Sequence, residues 1–518
     1  MVGEIALRNL LLAGTAALFL TCGAPALADT RPQAPIASSD INDALLIAAR
    51  EAESDVARGD IGHARDVLQK ASKRKSFDTA DPRLRRALML MLAGLAAQSE
   101  DWAAAKTAIL PATELKEAEG IDWAVRMEAS AKLDDREDAV KSMTVLAERF
   151  PETLADYTDS FIFNWRGRAR ALPDGEAKAF ALDDALAKGG WKSDDPFADT
   201  SDFMRDYAQG LLSRGRNAEA EKAAATIVDR ETLIGLRADK IFDAIGGSGP
   251  ERFLPRIGAV ARLKSVEALI KDHPKLLVGQ TAKAEALLKL NRAAEALAVA
   301  EAAIAKANAD PTAFSDMDEA LPWAHNLVND ALEQLGRRDQ SLEALAVGAR
   351  VPEHGKPNVS QTLNLSAALV RVGRAKEALA TVATVRLDLM SPYGRSVGLW
   401  VKVAAATQLG DNAQAQKALA ELKALGREGK LNLFEALLYR GDLDGAAALL
   451  IERLADPTQR TAALVGVQDT PLAPFPTSYD VDLAKRRADL RIRPDIQAAV
   501  AKVGRIEHYA PSDLWPVI

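Results

Sequence analysis

Residues Asn358–Arg386 read NVSQTLNLSAALVRVGRAKEALATVATVR, and this stretch decides how the chain is understood. Leu365, Ala368, Leu369 and Val372 stand at i, i+3, i+4 and i+7, the apolar stripe of an amphipathic helix. Ala375, Ala378, Leu379 and Val382 repeat that spacing. Between them lies Gly373. Glycine tolerates positive φ, so one helix can stop and the next can start within a tight turn. Ala378 is small, which lets the second helix approach the first closely. Nucleating a short helix is costly and one hairpin buries little, so the hairpin needs neighbours to cover its apolar edges.

Working outward, eight further residues take the place of Gly373: Gly59, Glu100, Asp134, Gly215, Asn291, Gly336, Gly410 and Gly441. Five positions after each turn residue stand Ala64, Ala105, Ala139, Ala220, Ala296, Ser341, Ala378, Ala415 and Ala446, all small. That smallness helped to choose the alignment. The position nine residues on did not, and it holds Leu68, Ile109, Met143, Ala224, Ala300, Leu345, Val382, Leu419 and Leu450, all apolar. The turns at Gly336, Gly373 and Gly410 recur every 37 residues, close to the period of one helical-repeat family.

Units such as ALLKLNRAAEALAVAEAAIA (Ala286–Ala305) and VRVGRAKEALATV resemble tetratricopeptide (TPR) repeats. The closing proline of that family is recognisable at Pro151, Pro311 and Pro457. Its second small position survives as Ala71, Ala112, Ala303 and Gly348, and is lost at Leu146, Ile227, Val385, Leu422 and Arg453. The array is therefore degenerate and TPR-like rather than strict. The resemblance covers about 41–155 and 201–465. It implies a scaffold that binds a protein or peptide partner.

The expected fold is all-α, an α-solenoid of antiparallel helical hairpins with an irregular middle and a C-terminal cap. Its expected parts are a signal peptide (1–28), a disordered leader (29–40), N-terminal repeats (41–155) and an irregular connector (156–274) with one repeat near 201–228. C-terminal repeats (275–465) and a capping segment (466–518) complete it. The connector is marked by Phe161, Phe163, Trp165 and Trp191, by Pro173 and Gly175, and by the run from Gly246 to Pro250. After Val465 a proline-rich crossing leads to a last helix near Pro494–Val503, with proline in the first turn, where its missing N–H costs nothing.

Composition narrows the function classes. The chain has 518 residues, 48% of them hydrophobic and only 5% aromatic. That is too long for one ordinary core, and it favours helices over sheets. A net charge of −7 is small for this size and argues against a nucleic-acid partner. Leu10–Leu20 is an apolar run too short to span a bilayer, followed by Ala26-Leu27-Ala28 as a small-x-small cleavage site. The expectation is export, to a bacterial periplasm, with no integral span left after cleavage. Cys22 is the only cysteine. Lipid attachment there fits poorly, because Phe19 and Thr21 stand where a bacterial lipobox has leucine and a small residue.

No group of residues is arranged for chemistry, so the expected catalytic, cofactor-binding and metal-binding sets are empty. His63, His273, His325, His354 and His508 are scattered, with no metal-ligand spacing. The Gly246–Gly249 run lacks the Lys-Ser/Thr of a phosphate loop, and Pro250 spoils a nucleophile elbow at Ser248. The pairs Asp134-Asp135, Asp183-Asp184 and Asp194-Asp195 read as solvated turn residues. Two basic clusters, Arg166, Arg168 and Arg170, then Lys485, Arg486, Arg487, Arg491 and Arg493, have acidic neighbours in sequence. Trp102, Trp123, Trp165, Trp191, Trp323 and Trp400 are expected to pack between hairpins. The leading reading is a non-catalytic periplasmic scaffold. The alternatives are an exported cell-wall or envelope hydrolase built from distant residues, and an outer-membrane lipoprotein adaptor for envelope assembly.

Overall fold

The structure is a computed structural model that describes residues 37–246, 253–352 and 355–514. The expected signal peptide, Cys22, Ser248, Pro250 and His354 lie outside the described residues. Those residues form 27 α-helices and no strand, in two compact units, one ending at Pro196 and one starting at Phe197. None of the helices is long and apolar enough to cross a membrane.

In the first unit α1 (Ala37–Ala57) pairs with α2 (Ile61–Ser72), α3 (Pro82–Gln98) with α4 (Trp102–Thr113), and α5 (Gly120–Lys132) with α6 (Arg136–Arg149). The short α7 (Pro151–Leu154) leads to α8 (Asp159–Arg170) and α9 (Gly175–Lys188). The second unit opens with α10 (Ser201–Leu212) and α11 (Asn217–Ala224), then α12 (Arg230–Ala238) and α13 (Pro255–Asp272). Four hairpins follow: α14 (Leu277–Lys289) with α15 (Ala293–Ala309), α16 (Met317–Gln334) with α17 (Arg338–Gly348), α18 (Val359–Arg371) with α19 (Ala375–Val382), and α20 (Pro392–Gln408) with α21 (Asn412–Ala424). The hairpin α22 (Lys430–Arg440) and α23 (Leu443–Ala455) precedes α24 (Arg460–Val465), α25 (Ser478–Arg491), α26 (Pro494–Val503) and α27 (Pro511–Leu514).

One turn geometry builds nine of these hairpins. All nine predicted turn residues are left-handed, with φ between 55° and 82°. Each turn N–H donates to the carbonyl three residues back. The next N–H donates to the carbonyl five residues back, at 2.8–3.0 Å. That double bond satisfies carbonyls that the end of the first helix leaves open, the Schellman closure. The residue after the turn also starts the second helix. Asp60, Asp101, Asp135, Asp411 and Asp442 cap it by accepting a backbone N–H three residues on. Arg216, Arg292 and Arg374 instead pair with Glu219, Glu295 and Glu377, and Arg337 with Gln340. The small residue five positions after the turn is at most 1% exposed in all nine, and the apolar one nine positions on at most 3%. Both face the partner helix.

The off-register aromatic stretch contains a tenth hairpin, α8 and α9. Its connection is longer, carries Pro173, and turns at left-handed Asp174 (φ 55°). Ala179 again lies five positions on and is buried, but nine positions on stands Asp183, not an apolar residue. Buried Arg166 reaches across from α8 and donates to both Asp183 oxygens.

Successive first helices pack on one another in both units (α1 on α3, α14 on α16, α18 on α20, α20 on α22); in the first unit the second helices α6 and α9 also pack on each other, while in the second unit the second helices of the repeated hairpins make no comparable contact. In the second unit the first helices therefore line the inner side of the curve. In the second unit, segments far apart in sequence also meet. Gly235 packs against Thr461, the Asp239 carboxylate accepts from the Thr461 hydroxyl at 2.9 Å, and Arg237 pairs with Glu507 at 2.8 Å.

Candidate functional site

Most candidates raised by the sequence are absorbed locally. His63 Nδ1 sits 2.7 Å from Asp55, whose other oxygen accepts from Arg58. Glu51, Asp55 and His63 bring three potential metal ligands within 4.8 Å of one another, but Asp55 already has both oxygens engaged. His508 meets Asp469 at 2.7 Å, and His325 is half-buried. Arg486 donates to the Leu438 carbonyl, Arg487 lies near Glu435, Arg491 pairs with Asp469 and Arg493 with Asp444 and Asp495, so four of the five members of that basic cluster are engaged inside the unit. Trp123, Trp165 and Trp400 are buried as expected. Trp323 is not: at 45% exposure it projects outward, because the helical turn buries Pro322 and Ala324 beside it.

A different set of residues comes together on the inner side of the second unit. On α16, Asn326, Asp330 and Glu333 stand at i, i+4 and i+7, a polar stripe along one face. The Asn326 and Asn329 side chains both donate to Asp330, at 3.1 and 2.8 Å. On the next first helix, Asn364 donates to the Asn326 oxygen at 2.9 Å and to Gln361 at 3.4 Å. A run of carboxamides thus links two hairpins and ends on one carboxylate. Asn329 and Gln361 are 5% and 1% exposed. Four polar atoms here are buried with no hydrogen-bond partner: Asn329 Oδ1, Gln334 Oε1, Asn358 Nδ2 and Gln361 Nε2.

The electrostatics follow from that placement. Burial, reinforced by the charge of Glu333, pushes the Asp330 carboxyl up to about 7, against the Asn329 hydrogen bond and the charge of Arg371. Burial also raises Glu333. Two positions before each turn the first helices carry Lys289, Gln334, Arg371, Gln408 and Tyr439, and six before it Glu285, Asp330 and Glu435. These side chains extend the stripe from hairpin to hairpin.

Helix α25 crosses this inner side. A Thr477–Asp480 capping box starts it, and Asp480 also pairs with Arg371 at 2.9 Å. Tyr479 is buried in an aromatic cluster, 4.3 Å from the Tyr439 ring and edge-on to Trp400, and its hydroxyl donates to Glu435 at 2.8 Å. Tyr479, Leu483 and Leu490 are core residues, which fixes α25 against the first helices α18 and α22.

The arrangement sets carboxamides and carboxylates side by side on neighbouring first helices. Sequence reasoning passed over Asn326, Asp330, Asn364 and Gln361. Their signal was present as polar residues at helical spacing within otherwise apolar first helices.

No protein-family model and no curated protein matches this chain. Among solved structures the chain is similar to yeast Tom70, at 13% identity and a TM-score of 0.33, over 89% of this chain and 99% of that one. A second is the APC/C hetero-tetramer Cut9–Hcn1, at 13% identity and a TM-score of 0.30, over 96% and 93%. A third is a tetratricopeptide repeat protein from Parabacteroides merdae, at 13% identity and a TM-score of 0.25, over 60% and 93%. The hairpins and their shared turn, not these likenesses, establish the TPR-like helical-repeat fold.

Proposed function

We propose that the protein is a non-catalytic scaffold that binds a protein or peptide partner along the inner face of its second unit, and that it works in the bacterial periplasm. The observation that carries the binding reading is the carboxamide run Asn326–Asn364–Gln361. In and around it the donors Gln361 Nε2 and Asn358 Nδ2 and the acceptors Asn329 Oδ1 and Gln334 Oε1 are buried and unsatisfied, and such groups are costly unless something completes them. Extended peptide backbone offers an alternating supply of both. Export rests on the apolar run Leu10–Leu20 and the Ala26-Leu27-Ala28 site, and mass spectrometry of the mature chain should find Asp29 at its N-terminus. An acylated Cys22 would favour a lipoprotein adaptor instead.

One observation gives the hydrolase reading a specific footing: Asp330, a carboxyl titrating near neutrality beside Glu333, is what a general acid requires. Its immediate partners speak for binding. Both are carboxamides donating to it, and no hydroxyl or imidazole contacts it among the described residues. In vivo crosslinking and pull-down from the native envelope tests the scaffold: a partner should be captured and no envelope-derived substrate turned over. Turnover of such a substrate, abolished by Asp330→Asn, overturns it.

A further inference from the structure

Asp330 is partly buried and lacks the cationic partner that a covered carboxylate ordinarily has. No cationic side chain contacts it among the described residues, and the surrounding cations are engaged elsewhere. Arg371 is held by Asp480 at 2.9 Å and comes no nearer than 4.0 Å to Glu333. Lys289 pairs with Asp229 at 2.7 Å and Glu285 at 3.2 Å. Arg338 donates to the carbonyls of Phe475 and Pro476. Glu333 and Glu285 add negative charge around Asp330.

Independently, Asn329 is 5% exposed, directs its amide N–H at Asp330, and leaves its Oδ1, in the same amide group, without a donor. Gln334 Oε1, four residues after Asp330 on α16, is likewise unpartnered. A carboxylate and orphaned amide oxygens, with further carboxylates nearby, form a set of acceptors short of donors. The group that completes such a set carries positive charge and several N–H bonds. A neutral hydroxyl would leave the charge uncompensated, and an anion would meet like charge.

We infer that Asp330 and Asn329 form a subsite for a basic side chain, the ammonium of lysine or the guanidinium of arginine, presented by the docked partner. The cation pairs with Asp330 and donates to Asn329 Oδ1. This assignment rests on the reading that the inner face binds a polypeptide, and it adds which residue type that polypeptide must carry.

The test is calorimetric titration of the full-length protein with N-acetyl-Gly-Lys-Gly-amide and its norleucine counterpart, at pH 8 and pH 6. The lysine peptide should bind at pH 8, at least tenfold more tightly than the norleucine peptide. It should weaken about tenfold at pH 6, where the acid is largely protonated. Asp330→Asn should remove the preference, with circular dichroism confirming that the variant keeps its helices. Equal binding of the two peptides, or a lysine preference that survives in Asp330→Asn or does not change with pH, overturns the subsite. Envelope capture separates this from the broader reading. A partner captured equally by wild type and Asp330→Asn sinks the subsite alone. Asp330-dependent lysine binding with no envelope partner sinks the scaffold reading and leaves an amine site.

Discussion

Replacing Asp330 by Asn should stabilise the second unit at pH 8 and leave it nearly unchanged at pH 4. The carboxyl titrates at about 7 in the folded chain, against an ordinary 3.8 when unfolded. Between those values the folded state holds a proton that the unfolded state has released, so stability falls as pH rises. The slope is about 1.4 kcal/mol per pH unit for one such group. Across the window the ionised form costs at most about 4 kcal/mol, less to the extent that water reaches it. Asn cannot ionise, but it accepts only where its single oxygen points, so one donor from Asn326 or Asn329 loses strength, at about 1 kcal/mol. The net gain at pH 8 should be about 2–3 kcal/mol, shrinking as pH falls from 7 and nearly gone by about pH 5. Urea unfolding of both proteins at pH 4, 5, 6, 7 and 8 reads this directly. A difference between them that stays flat with pH would refute the claim that Asp330 is partly covered without a cation in contact with it.

Three further outcomes follow from the hairpin geometry. Ala378→Leu should cost about 1–3 kcal/mol in urea melts by overpacking a fully buried helix crossing, while Lys376→Leu on the exposed side should change the midpoint little. Glu100→Gly should raise stability by about 0.5–1 kcal/mol, because Glu100 holds φ 57° in an exposed turn where glycine is free of strain. Asp138→Asn should flatten acid unfolding of the first unit between pH 4 and 2. Burial opposes the charge of Asp138, but hydrogen bonds from Arg126 and Ser130 and the charges of Arg126 and Lys106 hold it at about 2. That group therefore contributes about 2 kcal/mol above pH 4, lost as pH falls through 2.

The turns were the most legible part of the chain, because a Schellman closure is local. Gly373 and its eight counterparts need only a left-handed residue, and a small residue five positions later announces the close crossing. Glu100, Asp134 and Asn291 show that position in the repeat, not glycine itself, carries the signal. The tenth hairpin escaped notice because Pro173 lengthens its connection and its buried position is charged: Asp183 reads as solvated until Arg166 is placed opposite it. The inner face was hidden for a related reason. Asp330 and Glu333 look like ordinary surface acids on α16, and only the neighbouring first helices α14 and α18 partly cover them. The meeting of Asp239 with Thr461 has no local signature at all.

The binding claim is tested most directly by site-specific photocrosslinking inside one hairpin. A benzoylphenylalanine at Ala367, on the inner first helix, should crosslink a discrete polypeptide in intact cells. The same probe at Lys376, exposed on the second helix of that hairpin, should not. Adducts at Lys376 and none at Ala367 would contradict the account, because the partner would then dock on the outer surface.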